Sequence, residues 1–127
     1  MHWKWNAGVS VGGEKLVPCE PPKGYRFFNV YGPTETTILV TAFEVDKYYP
    51  NIPIGKALDN VKLYITDKSG HMLPYGACGE LMISGFQVSR GYLNKPEKTA
   101  EVYTKNIYDD TEGYEVLYHS GDIARYL

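Results

Sequence analysis

Asn29-Val30-Tyr31-Gly32-Pro33-Thr34-Glu35-Thr36-Thr37 is the stretch on which the fold turns. An apolar run, Arg26-Phe27-Phe28-Asn29-Val30-Tyr31, stops at Gly32-Pro33, and hydroxyls around a single carboxylate follow. Pro33 removes a backbone donor and fixes φ, so a strand has reason to end there. A polar cluster at a strand's carboxyl end is where open α/β sheets bind ligands. The same punctuation recurs on either side. Ala7-Gly8-Val9-Ser10-Val11 runs into Gly12-Gly13, and Thr37-Ile38-Leu39-Val40-Thr41-Ala42-Phe43 follows the cluster. Short, nearly continuous apolar runs suit interior strands covered on both faces in a parallel or mixed sheet. Pro18-Cys19-Glu20-Pro21-Pro22-Lys23-Gly24 lies between the first two, and its prolines exclude a helix.

From Ile52 onward the pattern changes to small antiparallel β-structure. In Val61-Lys62-Leu63-Tyr64-Ile65-Thr66 the branched and aliphatic residues fall on odd positions, the period of a half-buried strand. Asp67-Lys68-Ser69-Gly70 supplies a turn with glycine in the left-handed position. Gly79-Glu80-Leu81-Met82-Ile83-Ser84-Gly85 is the returning strand. A helix is expected from about Pro96 to Tyr103, with Asn94 near its cap and Pro96 in its first turn. A last strand, Tyr114-Glu115-Val116-Leu117-Tyr118, leads into the turn Ser120-Gly121-Asp122.

Composition narrows the function. The chain has 127 residues, 43% hydrophobic and 14% aromatic, enough for a modest core. A formal charge of −2 gives no long-range attraction for nucleic acid or an anionic membrane. No apolar run is long enough to span a bilayer. Two cysteines, Cys19 and Cys78, match no metal spacing, which points to a reducing, cytoplasmic compartment. His2, His71 and His119 have no partner one helical turn away, so a metal site built on them is not expected. No Gly-x-Ser-x-Gly elbow or H-E-x-x-H helix appears.

Within the opening stretch, Thr34 and Thr36 offer hydroxyl donors, and the amides after Pro33 face an anion. Glu35 suits Mg²⁺ beside a phosphate, since that ion takes one or two carboxylates plus substrate oxygens. Tyr31 suits stacking on a base. A turn whose hydroxyls bond their own backbone explains the same residues. Asp122 is placed to accept two hydroxyl hydrogen bonds, as from a ribose diol, although Ser-Gly-Asp is also an ordinary turn. Gly12-Gly13 admits either a flat ring close to the backbone or a tight turn. Gly85-Phe86-Gln87-Val88-Ser89-Arg90-Gly91-Tyr92-Leu93 reads locally as a bulged hairpin.

Taken in order, these segments resemble the adenylation domains of nonribosomal peptide synthetases, in the superfamily that includes acyl-CoA synthetases and luciferases. Residues 29–35 match N-x-Y-G-P-T-E. Residues 79–85, continued by Val88-Ser89-Arg90-Gly91-Tyr92-Leu93, match G-E-L-x-I-x-G and V-A-R-G-Y-L. Tyr118-His119-Ser120-Gly121-Asp122 matches Y-x-T-G-D, with Ser120 in place of threonine. Gly12-Gly13-Glu14 and Ile54-Gly55-Lys56-Ala57-Leu58-Asp59-Asn60 fit two further segments. Pro33 favours the amino-acid-activating branch.

The resemblance, with the pattern, implies a mixed, β-rich α/β fold. Residues 1–51 are expected as the tail of an α/β sheet subdomain, and residues 52–127 as a small distorted antiparallel β-barrel subdomain. Gly12, Gly13, Asn29 and Tyr31 surround adenine in this reading. Thr34 contacts the α-phosphate, Glu35 holds Mg²⁺, and Asp122 clasps the ribose. Val9, Val11, Val30, Ile38 and Leu39 line part of the acyl-substrate pocket. The implied reaction joins a carboxylate to ATP, releases pyrophosphate, and passes an acyl-adenylate to a phosphopantetheinyl carrier domain. The substrate is an amino acid or another small carboxylic acid.

The family's phosphate-cradling Ser/Thr/Gly loop, its amine-binding aspartate and its catalytic lysine find no match in these residues. The chain by itself is therefore expected to be inactive, to bind ATP and Mg²⁺ very weakly, and to self-associate through uncovered strand edges. Two other readings remain open: a non-catalytic module binding a nucleotide or carrier domain, and part of an aryl- or fatty-acid ligase.

Overall fold

The computed structural model describes residues 8–127. Ala7, the expected start of the first strand, and His2 lie outside them. The chain divides into two compact units. One is the described part of Met1–Pro33 with Ile38–Leu58, and the other is Thr34–Thr37 with Asp59–Leu127.

The first unit is a four-stranded mixed sheet in the order β1-β2-β3-β4. Strands β1 (Gly8–Val11) and β2 (Arg26–Tyr31) are parallel. Strands β3 (Thr41–Glu44) and β4 (Lys56–Ala57) continue antiparallel. A parallel pair requires a long crossover. Residues 12–25 supply it without a helix, as the prolines dictate. Two expectations are corrected here. The strands are not covered on both faces: in β2 only Asn29 is buried, and β1 is an exposed edge. The third strand begins at Thr41 rather than Thr37, because Thr37 (φ 53°) and Ile38 (φ 80°) take left-handed conformations that no strand accommodates. Val40 and Val45 form the buried apolar centre. Asn29 donates through Nδ2 to the Pro53 carbonyl (2.8 Å), and Thr41 through Oγ1 to the Ile54 carbonyl (2.6 Å). These bonds satisfy polar groups whose burial would otherwise be costly.

The second unit is an open antiparallel sheet in the order β5-β6-β8-β7. Strand β5 (Val61–Thr66) pairs with β6 (Gly79–Gly85) from Val61↔Gly85 to Thr66↔Glu80. Between them Gly70 has φ 82°, and its N–H bonds the Asp67 carbonyl, so the expected turn is present. Central β6 is buried along nearly its whole length, and Ile65, Leu81, Met82, Ile83, Leu117 and Tyr118 make the core. Buried Asn106 ties the sheet to the loop after β7 (Tyr103–Lys105), donating to the Tyr114 carbonyl (2.8 Å) and accepting from Tyr108 N–H (2.9 Å).

The helix α1 spans Pro96–Val102, with proline in its first turn. Asn94 does not cap it: Lys95 holds the cap position without a side-chain bond, while Asn94 (φ 55°) turns the chain just before. Residues 85–93 form no hairpin either. A turn closes from Val88 N–H to the Gly85 carbonyl, and the chain continues into α1. The last strand, β8 (Val116–Ala124), does not stop before Ser120-Gly121-Asp122 but contains it. Against β6 the register jumps between Met82↔His119 and Glu80↔Ile123, so Leu81 faces three residues and the segment is a bulge.

Candidate functional site

In the first unit, pairing places Val9 and Val11 beside Phe27 and Asn29 on one face of the sheet. Tyr31, two residues beyond Asn29, shares that face. Val30 points to the other face, with Gly12. The expected acyl-pocket set is therefore split, Val9 and Val11 on one side and Val30 on the opposite one. Ile38 is 70% exposed and Leu39 is also exposed, both beyond the end of β2. The two glycines serve different ends. A Cβ on Gly12 would overlap the Val30 carbonyl, so the neighbouring strand requires glycine there. Gly13 has φ 95° and open space where a side chain would stand. The Nδ2 of Asn29 donates to the Pro53 carbonyl, which orients the amide.

This unit also holds an open cavity of about 380 Å³, lined by Ala42, Phe43, Glu44, Asp46, Tyr49 and Lys56. It contains none of the sequence-predicted residues. Its carboxylates are already engaged, Glu44 by Arg26 (2.8 and 2.6 Å) and Asp46 by the Tyr49 hydroxyl (2.7 Å).

In the second unit, Thr34–Thr36 forms one 3₁₀ turn, closed by Thr37 N–H to the Thr34 carbonyl (3.1 Å). Thr34 is exposed, Glu35 half-buried and Thr36 buried. The loop 85–92 grips this turn. Ser89 N–H donates to the Glu35 carbonyl (2.8 Å), Thr37 Oγ1 to the Gln87 carbonyl (2.7 Å), and the Tyr92 hydroxyl to Glu35 Oε1 (2.7 Å). The Tyr92 phenol is the main reason the Glu35 carboxyl sits below the usual range, with the Tyr118 hydroxyl and the Lys98 charge adding to it against burial. The converse holds for Tyr92, whose hydroxyl is pushed up to about 12, chiefly by its bond to Glu35. Glu35 is thus an ionised, oriented carboxylate. It is a single one, which fits Mg²⁺ only where substrate phosphates supply further oxygens. Among the described residues no group of three or more His, Cys, Asp or Glu is arranged to hold a metal ion.

Asp122 stands exposed on the bulge of β8. Ser120 Oγ donates to the Leu81 carbonyl (2.6 Å) and accepts from Asp122 N–H (3.1 Å). Gly121, at φ 75°, donates its N–H to Glu80 Oε1 (3.1 Å). The loss of a methyl at Ser120 is immaterial to this arrangement, which uses only the hydroxyl.

Sequence reasoning missed Tyr92, Tyr118 and Lys98 around Glu35. No local signal marked them: Gln87 and Ser89, between Gly85 and Gly91, and Tyr92 after them read as ordinary loop residues.

Residues 14–93 match the sequence pattern of the family described as AMP-binding enzyme. That is more than half of the chain, and the chain belongs to this family. It is 46% identical over 117 residues to bacitracin synthase 1 of Bacillus licheniformis, covering 92% of this chain and 2% of that protein. Identity is 42% with gramicidin S synthase 2 of Brevibacillus brevis, over 92% of this chain and 3% of the relative. It is 38% with tyrocidine synthase 3 of Brevibacillus parabrevis, over 97% and 2%. The chain therefore spans a small part of the length of these relatives. Its fold is similar to part of a holo four-domain nonribosomal peptide synthetase bound to AMP and glycine, with a TM-score of 0.79 and 29% identity. That likeness covers 92% of this chain and 9% of the other. The resemblance carried by the motifs holds. Among the described residues no helix is long and apolar enough to cross a membrane.

Proposed function

We propose that these residues form part of an amino-acid-activating site that joins a carboxylate to ATP. The observation that carries the reading is the turn Thr34–Thr37, where an exposed hydroxyl stands beside an ionised, oriented Glu35 and two left-handed non-glycine residues follow. Strain of that kind persists only where tertiary contacts enforce it, and it clusters at functional sites. In this reading Gly12, Gly13, Asn29 and Tyr31 receive adenine, with the Asn29 amide oxygen accepting from the base amino group. Asp122 accepts the ribose hydroxyls, and Thr34 donates to the α-phosphate.

Glu35 holds Mg²⁺, which supplies charge neutralisation at the phosphates. Val9, Val11, Ile38 and Leu39 offer apolar surface to the substrate side chain, and Val30 supports the sheet from its other face. What the protein contributes is positioning and fixed charge rather than covalent chemistry. Transfer of the product to a phosphopantetheinyl carrier domain, and residence in the cytoplasm, belong to the same proposal. The free thiols Cys19 and Cys78 accord with a reducing compartment.

The experiment is amino-acid-dependent exchange of labelled pyrophosphate into ATP, run on the complete protein that carries these residues. Exchange with an amino acid, dependent on Mg²⁺ and reduced about 10²–10³-fold by Glu35→Ala, is expected. Exchange only with aryl or fatty acids would move the substrate class. Exchange indifferent to Glu35→Ala would overturn the assignment of Glu35.

A further inference from the structure

We propose that Tyr92 is a positioning residue for Glu35, fixing the carboxylate in the orientation it presents to phosphate-borne Mg²⁺. The inference rests on the role proposed for Glu35 above. Loop 85–92 holds the turn at three points, and two of them, Ser89 N–H to the Glu35 carbonyl and Thr37 Oγ1 to the Gln87 carbonyl, already fix the backbone. The third lands on the functional atom. By donating to Oε1 at 2.7 Å, the Tyr92 hydroxyl, with the Tyr118 hydroxyl as a second and weaker donor, restricts rotation of the carboxyl group.

Tyr92 is itself held from every side. Its N–H donates to Thr99 Oγ1 on α1 (2.9 Å), and its ring meets Tyr103 edge-on at 5.9 Å. The Lys98 ammonium lies 4.7 Å from its ring centre. Gly91, at φ 120°, passes so close to Thr99 that a Cβ would overlap that side chain, so the approach of Tyr92 to the helix depends on glycine. Packing alone would be served by phenylalanine. A hydroxyl is needed only for what it bonds. Outer partners of metal-binding carboxylates act in this way, fixing the ligand's orientation without touching the metal.

The test uses the complete protein that carries these residues, with Mn²⁺ as the probe and ATP present, free Mn²⁺ being read by electron paramagnetic resonance. Tyr92→Phe keeps every ring contact and should weaken Mn²⁺ binding about tenfold, with ATP affinity in the absence of metal unchanged. Thr37→Val removes a backbone tether but no bond to the carboxylate, and should leave Mn²⁺ affinity near that of the wild type. Equal losses in the two variants would mean general loosening of the turn and would overturn the proposal. So would wild-type affinity in Tyr92→Phe while Glu35→Gln binds weakly. Wild-type affinity in Glu35→Gln would instead remove the assignment of Glu35, and this inference with it.

Discussion

Two polar turns carry the candidate chemistry, one held by strand pairing and the other by a loop. Ser120-Gly121-Asp122 is held from within its own sheet: its hydroxyl bonds Asp122 N–H, and the paired strand β6, some forty residues away in sequence, supplies Glu80 and the Leu81 carbonyl. Thr34–Thr37 is held from outside any strand pairing, by Gln87, Ser89 and Tyr92 on a loop some fifty residues away in sequence. The strand-held turn rests on an ordinary bulge with glycine at its left-handed position. The loop-held turn tolerates strain, with Thr37 and Ile38 both left-handed. A motif can thus be short in sequence and still depend on distant residues for its shape.

The largest effect should come from the sheet under the strand-held turn. Ile83 is fully buried in β6, so Ile83→Ala should cost about 2–5 kcal/mol in urea unfolding. Val9→Ala on the exposed edge of the first sheet should stay within about 0.5 kcal/mol. Equal costs would erase the contrast in burial between the two sheets.

The strained turn should respond in the other direction. Ile38 is 70% exposed at φ 80°, so Ile38→Gly should raise stability by about 1 kcal/mol through relief of backbone strain. A loss of stability would show that the left-handed residue is not strained.

How much of this was legible in the sequence follows the same division. Strands β5 and β6 and the turn after β5 were readable because the two strands follow one another in the chain and the turn chemistry is explicit. Gly70 takes the left-handed position, and Asp67 Oδ1 collects the Ser69 and His71 amides, although burial along β5 does not alternate as its sequence does. The apolar run Thr37–Phe43 misled because its composition suits a strand. Its first residues are instead bent, and Gly32 leaves no room for a Cβ against the Ile38 carbonyl. Ser120-Gly121-Asp122 looked like the end of a strand because a bulge and a turn use the same residues. The tie from Tyr92 to Glu35 had no local signature, since long-range contacts leave no periodicity.

A smaller effect tests how the strand-held turn is fixed. Glu80→Ala removes the acceptor for Gly121 N–H and should cost about 0.5–1 kcal/mol, with faster hydrogen exchange at that amide. Glu80→Gln keeps an acceptor oxygen and should restore the slow exchange. Failure of the glutamine variant to restore it would show that the carboxylate acts by charge rather than by this bond.

The smallest effect is a pH dependence at a distance from both turns. The Lys62 ammonium and the Thr111 donors hold the Asp109 carboxyl down to about 2, from an ordinary 3.8. Because the folded value lies below the unfolded one, its contribution is complete above 3.8 and fades as pH falls toward 2. The stability difference between wild type and Asp109→Asn should therefore shrink over that window. A constant difference would remove the ion pair from the account.

The central claim is that both turns serve one nucleotide, and calorimetric titration of AMP into the complete protein tests it most directly. Asp122→Ala should weaken AMP binding by about 1.5–3 kcal/mol, the worth of hydrogen bonds to a charged group. Thr34→Ala should weaken it by a similar amount through the lost hydrogen bond to the phosphate. Wild-type affinity in both variants would contradict the account.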